Sequence, residues 1–148
     1  MRLFLISLIF SVSAFSADIF ELVELLDKND TTSFKSKIIT ADDASTNRED
    51  NHKSILMYAV WLGNYEAVEH LIATGAEINA TDNGGATALH LAIWKNNIDI
   101  ATLLVKNGAA SDILSSDGMS AADIAILQQN KEMMELLNSS KKERKKLF

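Results

Sequence analysis

The sequence of 148 residues contains no cysteine and no proline, and each absence excludes a class of structure. Without cysteine there is no disulfide framework, no thiol nucleophile and no cysteine-ligated zinc, iron–sulfur or haem site. Without proline there are no PxxP linkers and no cis-prolyl turns. Hydrophobic residues make up 47% of the chain and charged residues 23%, which is typical of globular rather than disordered proteins.

The first sixteen residues, MRLFLISLIFSVSAFS, are typical of a secretory signal peptide. Arg2 precedes an uncharged run at 3–15, which is shorter than the ~20 residues of a membrane-spanning helix. Ala14 and Ser16 have the small-residue spacing that favours cleavage after Ser16. The alternatives are a buried N-terminal helix and an uncleaved anchor. We expect export to the periplasm of a Gram-negative bacterium or secretion, without stable membrane insertion after cleavage.

Charge is unevenly distributed along the chain, whose formal net charge is −6. Residues 17–140 carry 19 acidic and 8 basic side chains, whereas the end of the chain, KKERKKLF at 141–148, carries a net +4. Because nucleic-acid binding needs a basic face, we expect no nucleic-acid partner. The basic tail is interpreted as a solubilising end, with contact to anionic lipid or to an acidic partner as the alternative.

A period of 33 residues runs through the chain after residue 16. Residues 49–81 and 82–114 align without a gap, so that Trp61 meets Trp94 and Gly75 meets Gly108. Further steps of 33 in both directions give four units. A period of this length is the signature of a solenoid, in which stacked units share one core because no single unit can form its own.

Each unit is predicted to contain two short helices. In the third unit, Leu89, Ala92 and Ile93 have the spacing of one apolar helix face, and 98–105 repeats that pattern. Residues that favour helix ends fit this interpretation. Hydroxyl groups that can cap the first helices belong to Ser54, Thr87 and Ser120, and glycines that can end the second helices are Gly75 and Gly108.

These residues carry a resemblance to a known family. The stretch DNGGATALHLA at 82–92 resembles the ankyrin-repeat motif D-x-x-G-x-T-x-L-H-x-A, and LLVKNGA at 103–109 resembles its later L-L-x-x-x-G-A stretch. The resemblance implies an all-α ankyrin-repeat solenoid of helix-turn-helix units with loop or β-hairpin fingers. It places an N-terminal capping repeat at 17–48, repeats at 49–81 and 82–114, and a C-terminal capping repeat at 115–140 before the tail.

Two departures from the family pattern stand out. The family usually has proline after the threonine of its motif, and here those positions are Ile55, Ala88 and Ala121. Because proline presets the first helical backbone angle, we expect a looser array than a consensus one. Asn96-Asn97 stands where the family usually has glycine, and asparagine tolerates a left-handed backbone better than most residues do.

Catalytic chemistry is not predicted. His52, His70 and His90 have no helical metal-pair spacing, and Asp42-Asp43 lacks EF-hand spacing. His90 resembles the motif histidine that ties loops together, and His70 is expected to be exposed. No nucleophile elbow, P-loop or dinucleotide motif is present. We expect no enzymatic activity, no cofactor and no metal, with a metal- or small-ligand-binding enzyme using the acidic surface as the alternative.

The resemblance implies a monomeric module that binds a protein, as yet unidentified, through variable residues of the first helices and the loop tips. On the first helices these are Trp61, Leu62, Trp94, Lys95, Leu127 and Gln128. On the loop tips they are Asp50, Asn51, Lys53, Asn83, Ala86, Asp117 and Met119. Two interpretations of the tryptophans stay open. Either they belong to an interface with a partner, or each ring packs flat on its own repeat. A secreted effector acting on a host protein is a further alternative.

Overall fold

In the computed structural model, residues 18–145 form four pairs of antiparallel helices and one additional helical turn. The structure describes residues 18–145, of which 140–145 are described for the backbone alone, and the predicted signal peptide lies outside these residues. The helices are α1 Ile19–Asp27, α2 Thr31–Lys37, α3 Ala41–Ala44, α4 Ile55–Leu62, α5 Tyr65–Thr74, α6 Ala88–Trp94, α7 Ile98–Lys106, α8 Ala121–Leu127 and α9 Lys131–Lys145. The all-α fold is confirmed.

The pairs stack side by side into a solenoid. The first helices pack against each other in the order α1, α4, α6, α8, and the second helices pack in the parallel order α2, α5, α7, α9. Leu22, Leu56, Leu89 and Ile124 of the first helices are buried in one continuous core. Since these helices have only seven to nine residues, stacking rather than intrinsic propensity stabilises them.

Polar side chains fix where the helices begin. Ser54 Oγ accepts a hydrogen bond from the backbone N–H of Met57 at 3.3 Å, and Ser120 Oγ accepts one from Asp123 at 3.2 Å. The second helices use a different residue type, an Asx side chain that accepts a bond three residues on. The four residues that do this are Asp30, Asn64, Asn97 and Asn130.

The turn inside each helix pair needs one left-handed residue. Asn29, Gly63, Asn96 and Gln129 have φ between 54° and 72° at these corresponding positions. The sequence expectation for Asn96 is therefore confirmed, and this turn accepts two residue types, asparagine and glutamine, besides its ideal glycine. The second helices α5 and α7 are followed by left-handed glycines, Gly75 and Gly108, as expected.

The segments between repeats are loops rather than regular β-hairpins. Within residues 18–145 they contain two isolated antiparallel bridges, Asn47 with Ser54 and Leu114 with Ser120, and no extended strand. Neighbouring loops are joined by single backbone bonds, including Ser116 N–H to Gly84 O at 2.8 Å. Of the two predicted forms, loop or β-hairpin fingers, these residues therefore have the loop form, with neighbouring loops bonded to one another.

The two ends of the chain depart from a simple repeat. After α2, a short helical turn, α3, packs on α5 and begins with a capping box in which Thr40 and Asp43 bond reciprocally. At the other end, α9 continues through residue 140 to Lys145. The predicted boundary between the last repeat and a tail at 141 thus falls inside a helix, because the basic residues there are good helix formers.

Candidate partner-binding surface

The first helices end in large apolar side chains that corresponding positions repeat along the stack. The side chain of Trp61 is 48% exposed at the end of α4, and that of Trp94 is 50% exposed at the end of α6. Leu127 ends α8 and is 69% exposed. Because α4, α6 and α8 pack in series, the three residues form a row along one face of the solenoid.

Two lysines lie over the ring of Trp61. Lys95 Nζ is 4.5 Å from the ring centroid and Lys53 Nζ is 6.0 Å from it, both within cation–π range. Lys53 comes from the loop before α4, whereas Lys95 comes from the end of the next first helix, α6. The Trp61 ring therefore contacts the following repeat as well as its own, which neither sequence interpretation had anticipated.

The surroundings of Trp94 are different. Gln128 occupies the position one repeat after Lys95, and its Nε2 donates to the backbone carbonyl of Trp94 at 3.3 Å. Lys53 is matched one repeat later by Ala86, which carries no charge. The two tryptophans thus have the same place in the repeat, but two cations lie over Trp61 and the corresponding positions at Trp94 are uncharged.

The remaining predicted first-helix positions are accessible. Leu62 is 41% exposed beside Trp61, and Lys95 and Gln128 are exposed at the ends of α6 and α8. Tyr65 at the start of α5, which sequence analysis missed, adds a half-exposed ring beyond Leu62. Sequence analysis could not identify Tyr65, because the family resemblance implies binding residues on first helices and loops, and Tyr65 lies on a second helix.

The loop-tip residues divide into those with accessible side chains and those used by the fold. Asp50, Asn83 and Asp117 are exposed, while Asn51, Lys53 and Met119 are half-buried. Asn83 Nδ2 donates to Asp50 O at 3.1 Å and the Asn83 N–H donates to Asn51 O, which ties two loops together. Ala86 is a correction, because it lies just before α6 and is only 8% exposed, which leaves little of it for a partner to contact.

His90 has a structural setting. Its Nδ1 accepts from the backbone N–H of Thr87 at 3.1 Å, and the Thr87 hydroxyl is 2.8 Å from the same nitrogen. Nε2 is 3.3 Å from the carbonyl oxygen of Met119 in the next loop. Burial lowers the pKa of His90 below its ordinary value, against the opposing effect of these carbonyl contacts. The imidazole therefore stays neutral and ties two loops together.

His70 corrects an expectation. Instead of being exposed, it is half-buried, with Nε2 2.8 Å from the carbonyl oxygen of Ile38 in the preceding repeat. His52 lies in the loop before α4 as expected, exposed and with φ of 55°. The three histidines consequently lie in three separate environments.

Several acidic residues are used in capping and ion pairs. Asp43 accepts bonds from the N–H of Thr40 and of Ile39, and these bonds lower the pKa of its carboxyl. Asp50 forms a bidentate pair with Arg48, whose Cζ is also 4.8 Å from the ring centroid of Phe20. In the part of the chain that the structure describes, no group of three or more histidine and acidic side chains could hold a metal ion.

The fold and the repeated surface residues define a class, a solenoid of helix-turn-helix repeats. A family model for ankyrin repeats, in three copies, matches residues 56–146, more than half of the chain. The chain belongs to the ankyrin-repeat family, whose repeats generally act as non-catalytic modules for protein–protein interaction. A search of curated proteins finds no match. Among the described helices, none combines the length and the apolar character needed to cross a bilayer.

Proposed function

We propose that this chain is a non-catalytic module that binds one protein partner through the row of Trp61, Trp94 and Leu127 together with the adjoining loop tips. The observation that carries this proposal is the half-exposed state of both tryptophans at corresponding positions. Tryptophan is enriched among interface hot spots, and exposing it has a free-energy cost that a partner would remove.

The rest of the surface supports the same proposal. Leu62 and Leu127 extend the two rings into an apolar strip, and exposed polar loop residues border it. An apolar centre with a polar rim is the usual anatomy of a protein interface. The repeat spacing also sets the partner's shape, since a row along the stack suits an extended segment or a helix lying across several repeats.

We further propose that the module acts in the bacterial envelope or outside the cell. Support comes from the sequence at 1–16, where a basic residue, an uncharged run and small residues follow the order of a secretory signal. Fractionation of periplasm, membrane and medium, with mass analysis of the mature N-terminus, tests this. A chain recovered uncut in the cytosol would contradict export.

The binding proposal is tested by affinity capture from envelope extract. The full chain is compared with the double variant Trp61→Ala/Trp94→Ala, and the expected result is loss of the partner that the unaltered protein retains. Ile39→Ala is the matched control, because Ile39 is 75% exposed but lies in the loop between α2 and α3. Identical partners with the double variant would contradict the proposed surface.

Folding of each variant is checked by circular dichroism and thermal unfolding before capture. The two tryptophans are half-exposed and lie in the last turn of their helices, so their truncation should leave the stack intact. The interface proposal therefore does not depend on a variant that fails to fold.

A further inference from the structure

Lys53 and Lys95 are unusual among the basic residues of the acidic body. Residues 17–140 contain eight basic side chains against 19 acidic ones. Four of the eight are in ion pairs, namely Lys28, Lys35, Lys37 and Arg48, with Glu24, Glu66, Glu21 and Asp50. Lys53 and Lys95 form no ion pair with the described side chains, and instead converge on the ring of Trp61.

We propose that this convergence is a binding position for a carboxylate, and that the partner presents an acidic segment with neighbouring apolar side chains. The proposal rests on the proposed function and adds the chemistry of the partner. A carboxylate that approaches the ring would be attracted by both ammonium groups and would accept a charge-assisted hydrogen bond from the one it reaches. The apolar neighbours of the acidic residue would contact Trp61 itself.

The lysines are suited to this role by where they are held. Cation–π contact places both ammonium groups on the ring, so part of the entropy of fixing two long side chains is already lost before binding. A carboxylate in the same chain would have neutralised them, as Asp50 neutralises Arg48. Lys53 and Lys95 have no carboxylate partner among the described side chains, so the negative charge that pairs with them would come from the bound protein.

The asymmetry between the tryptophans gives the bound segment a direction. At Trp94 the positions corresponding to Lys53 and Lys95 are Ala86 and Gln128, so neither lysine has a charged counterpart in that part of the row. The acidic end of the segment should therefore lie at Trp61, and its apolar end at Trp94 and Leu127. Reversing the order of acidic and apolar residues in the segment should weaken binding.

The charge of the whole body favours a protein segment over a polyanionic surface. Residues 17–140 carry a net −11, and a membrane or nucleic acid would bring many negative charges within the ~10 Å reach of unscreened interaction. A segment with one or two carboxylates meets mainly the local pair of lysines. The observations therefore favour an acidic peptide, with anionic vesicles as a rival outcome.

The test selects peptides from a random display library against the full chain. We expect the selected sequences to be enriched in aspartate or glutamate beside leucine or aromatic residues. Binding of the synthesised peptides is followed by intrinsic fluorescence, because the chain has only two tryptophans. Single-tryptophan variants, Trp61→Phe and Trp94→Phe, then assign the signal to one ring, and the acidic residue should act on Trp61.

A double-mutant cycle identifies the charge contact. Changing the peptide's acidic residue to its amide, or changing the protein to Lys53→Gln/Lys95→Gln, should each weaken binding about tenfold. Both changes together should weaken it little further, because they remove the same interaction. The control, Lys106→Gln/Lys131→Gln, removes equal charge from exposed positions on α7 and α9 and should leave affinity unchanged.

Several results would overturn the inference. These are selection of basic or uncharged peptides, absence of any binding peptide, equal loss in the control variant, and binding to phosphatidylglycerol vesicles alone. Its failure can be told from failure of the proposed function. Binding that needs Trp61 and Trp94 but ignores both lysines rejects only the carboxylate position. Binding indifferent to the tryptophans rejects the proposed surface.

Discussion

The second and third repeats, residues 49–81 and 82–114, have the same arrangement of helices but hold it with different contacts. In the second, Ser54 caps α4 through the N–H of Met57. In the third, the N–H and hydroxyl of Thr87 both engage His90, at the position that corresponds to Met57. The repeat period therefore conserves the arrangement of the helices but not the side-chain contacts that hold them. Substitutions at corresponding positions should have unequal effects on the free energy of unfolding.

The largest difference is expected at the first residue of the first helix. Ile55 is fully buried and its N–H donates to Thr46 O at 2.8 Å. Ile55→Pro removes this donor and part of the buried side chain, so the free energy of unfolding should fall by about 3 kcal/mol or more. Denaturant unfolding measures it, with Ile55→Val as the control for lost volume alone. An equal loss in both variants would show that the hydrogen bond is unimportant.

The next largest effect on the free energy of unfolding is expected at Gly85, which has a left-handed backbone in the loop before α6. Gly85 has φ of +70°, and a Cβ there would lie 3.1 Å from Ser116 N and 3.2 Å from Leu114 O. Gly85→Ala combines backbone strain with contact against rigid backbone, and should lower the free energy of unfolding by about 2 kcal/mol or more. His52 tolerates the same conformation in the second repeat.

A matched control separates the two causes. Gly118 has φ of +73° one repeat after Gly85, but a Cβ there meets nothing within 4 Å. Gly118→Ala should therefore show strain alone, about 1 kcal/mol. If the two alanine variants unfold at the same denaturant concentration, the close approach of the next loop has no energetic consequence.

The pH dependence of stability distinguishes His90 from Met57, because only the histidine binds a proton. Because burial lowers the pKa of folded His90, the unfolded chain binds a proton more readily, and stability rises with pH. The contribution is complete above the unfolded value of about 6.5 and is lost as pH falls through the lower folded pKa. His90→Gln should flatten this dependence and cost about 1 kcal/mol at neutral pH through the lost contact to Met119 O.

Unfolding curves between neutral and mildly acidic pH check this prediction. His52→Gln is the control for the replacement itself, because it changes histidine to glutamine in an exposed loop. An unchanged pH dependence in His90→Gln would contradict the assignment to His90.

Periodicity predicted the helix pairs, the caps at Ser54 and Ser120, and the left-handed Asn96, since each depends on local sequence. It could not predict contacts between repeats. Lys95 reaches Trp61 across one repeat, and His70 reaches the Ile38 carbonyl in the same way. Such contacts depend on which rotamer a long side chain adopts against its neighbour. The site was therefore predictable as a face of the solenoid, but not as a charged position.

The smallest effect on the free energy of unfolding is expected where α6 begins. Ala88 is the first residue of α6, and Thr87 before it has the extended backbone, φ −99° and ψ 170°, that a following proline requires. Ala88→Pro should raise the free energy of unfolding by about 0.4–1 kcal/mol, because proline restricts the unfolded chain and fits the first turn of a helix. Ser54 has an equally suitable backbone before Ile55, so the opposite sign there arises from the bond to Thr46 and the lost side chain. Thermal unfolding of both variants measures the contrast, and destabilisation by Ala88→Pro would show that the buried position of Ala88 cannot hold the proline ring without strain.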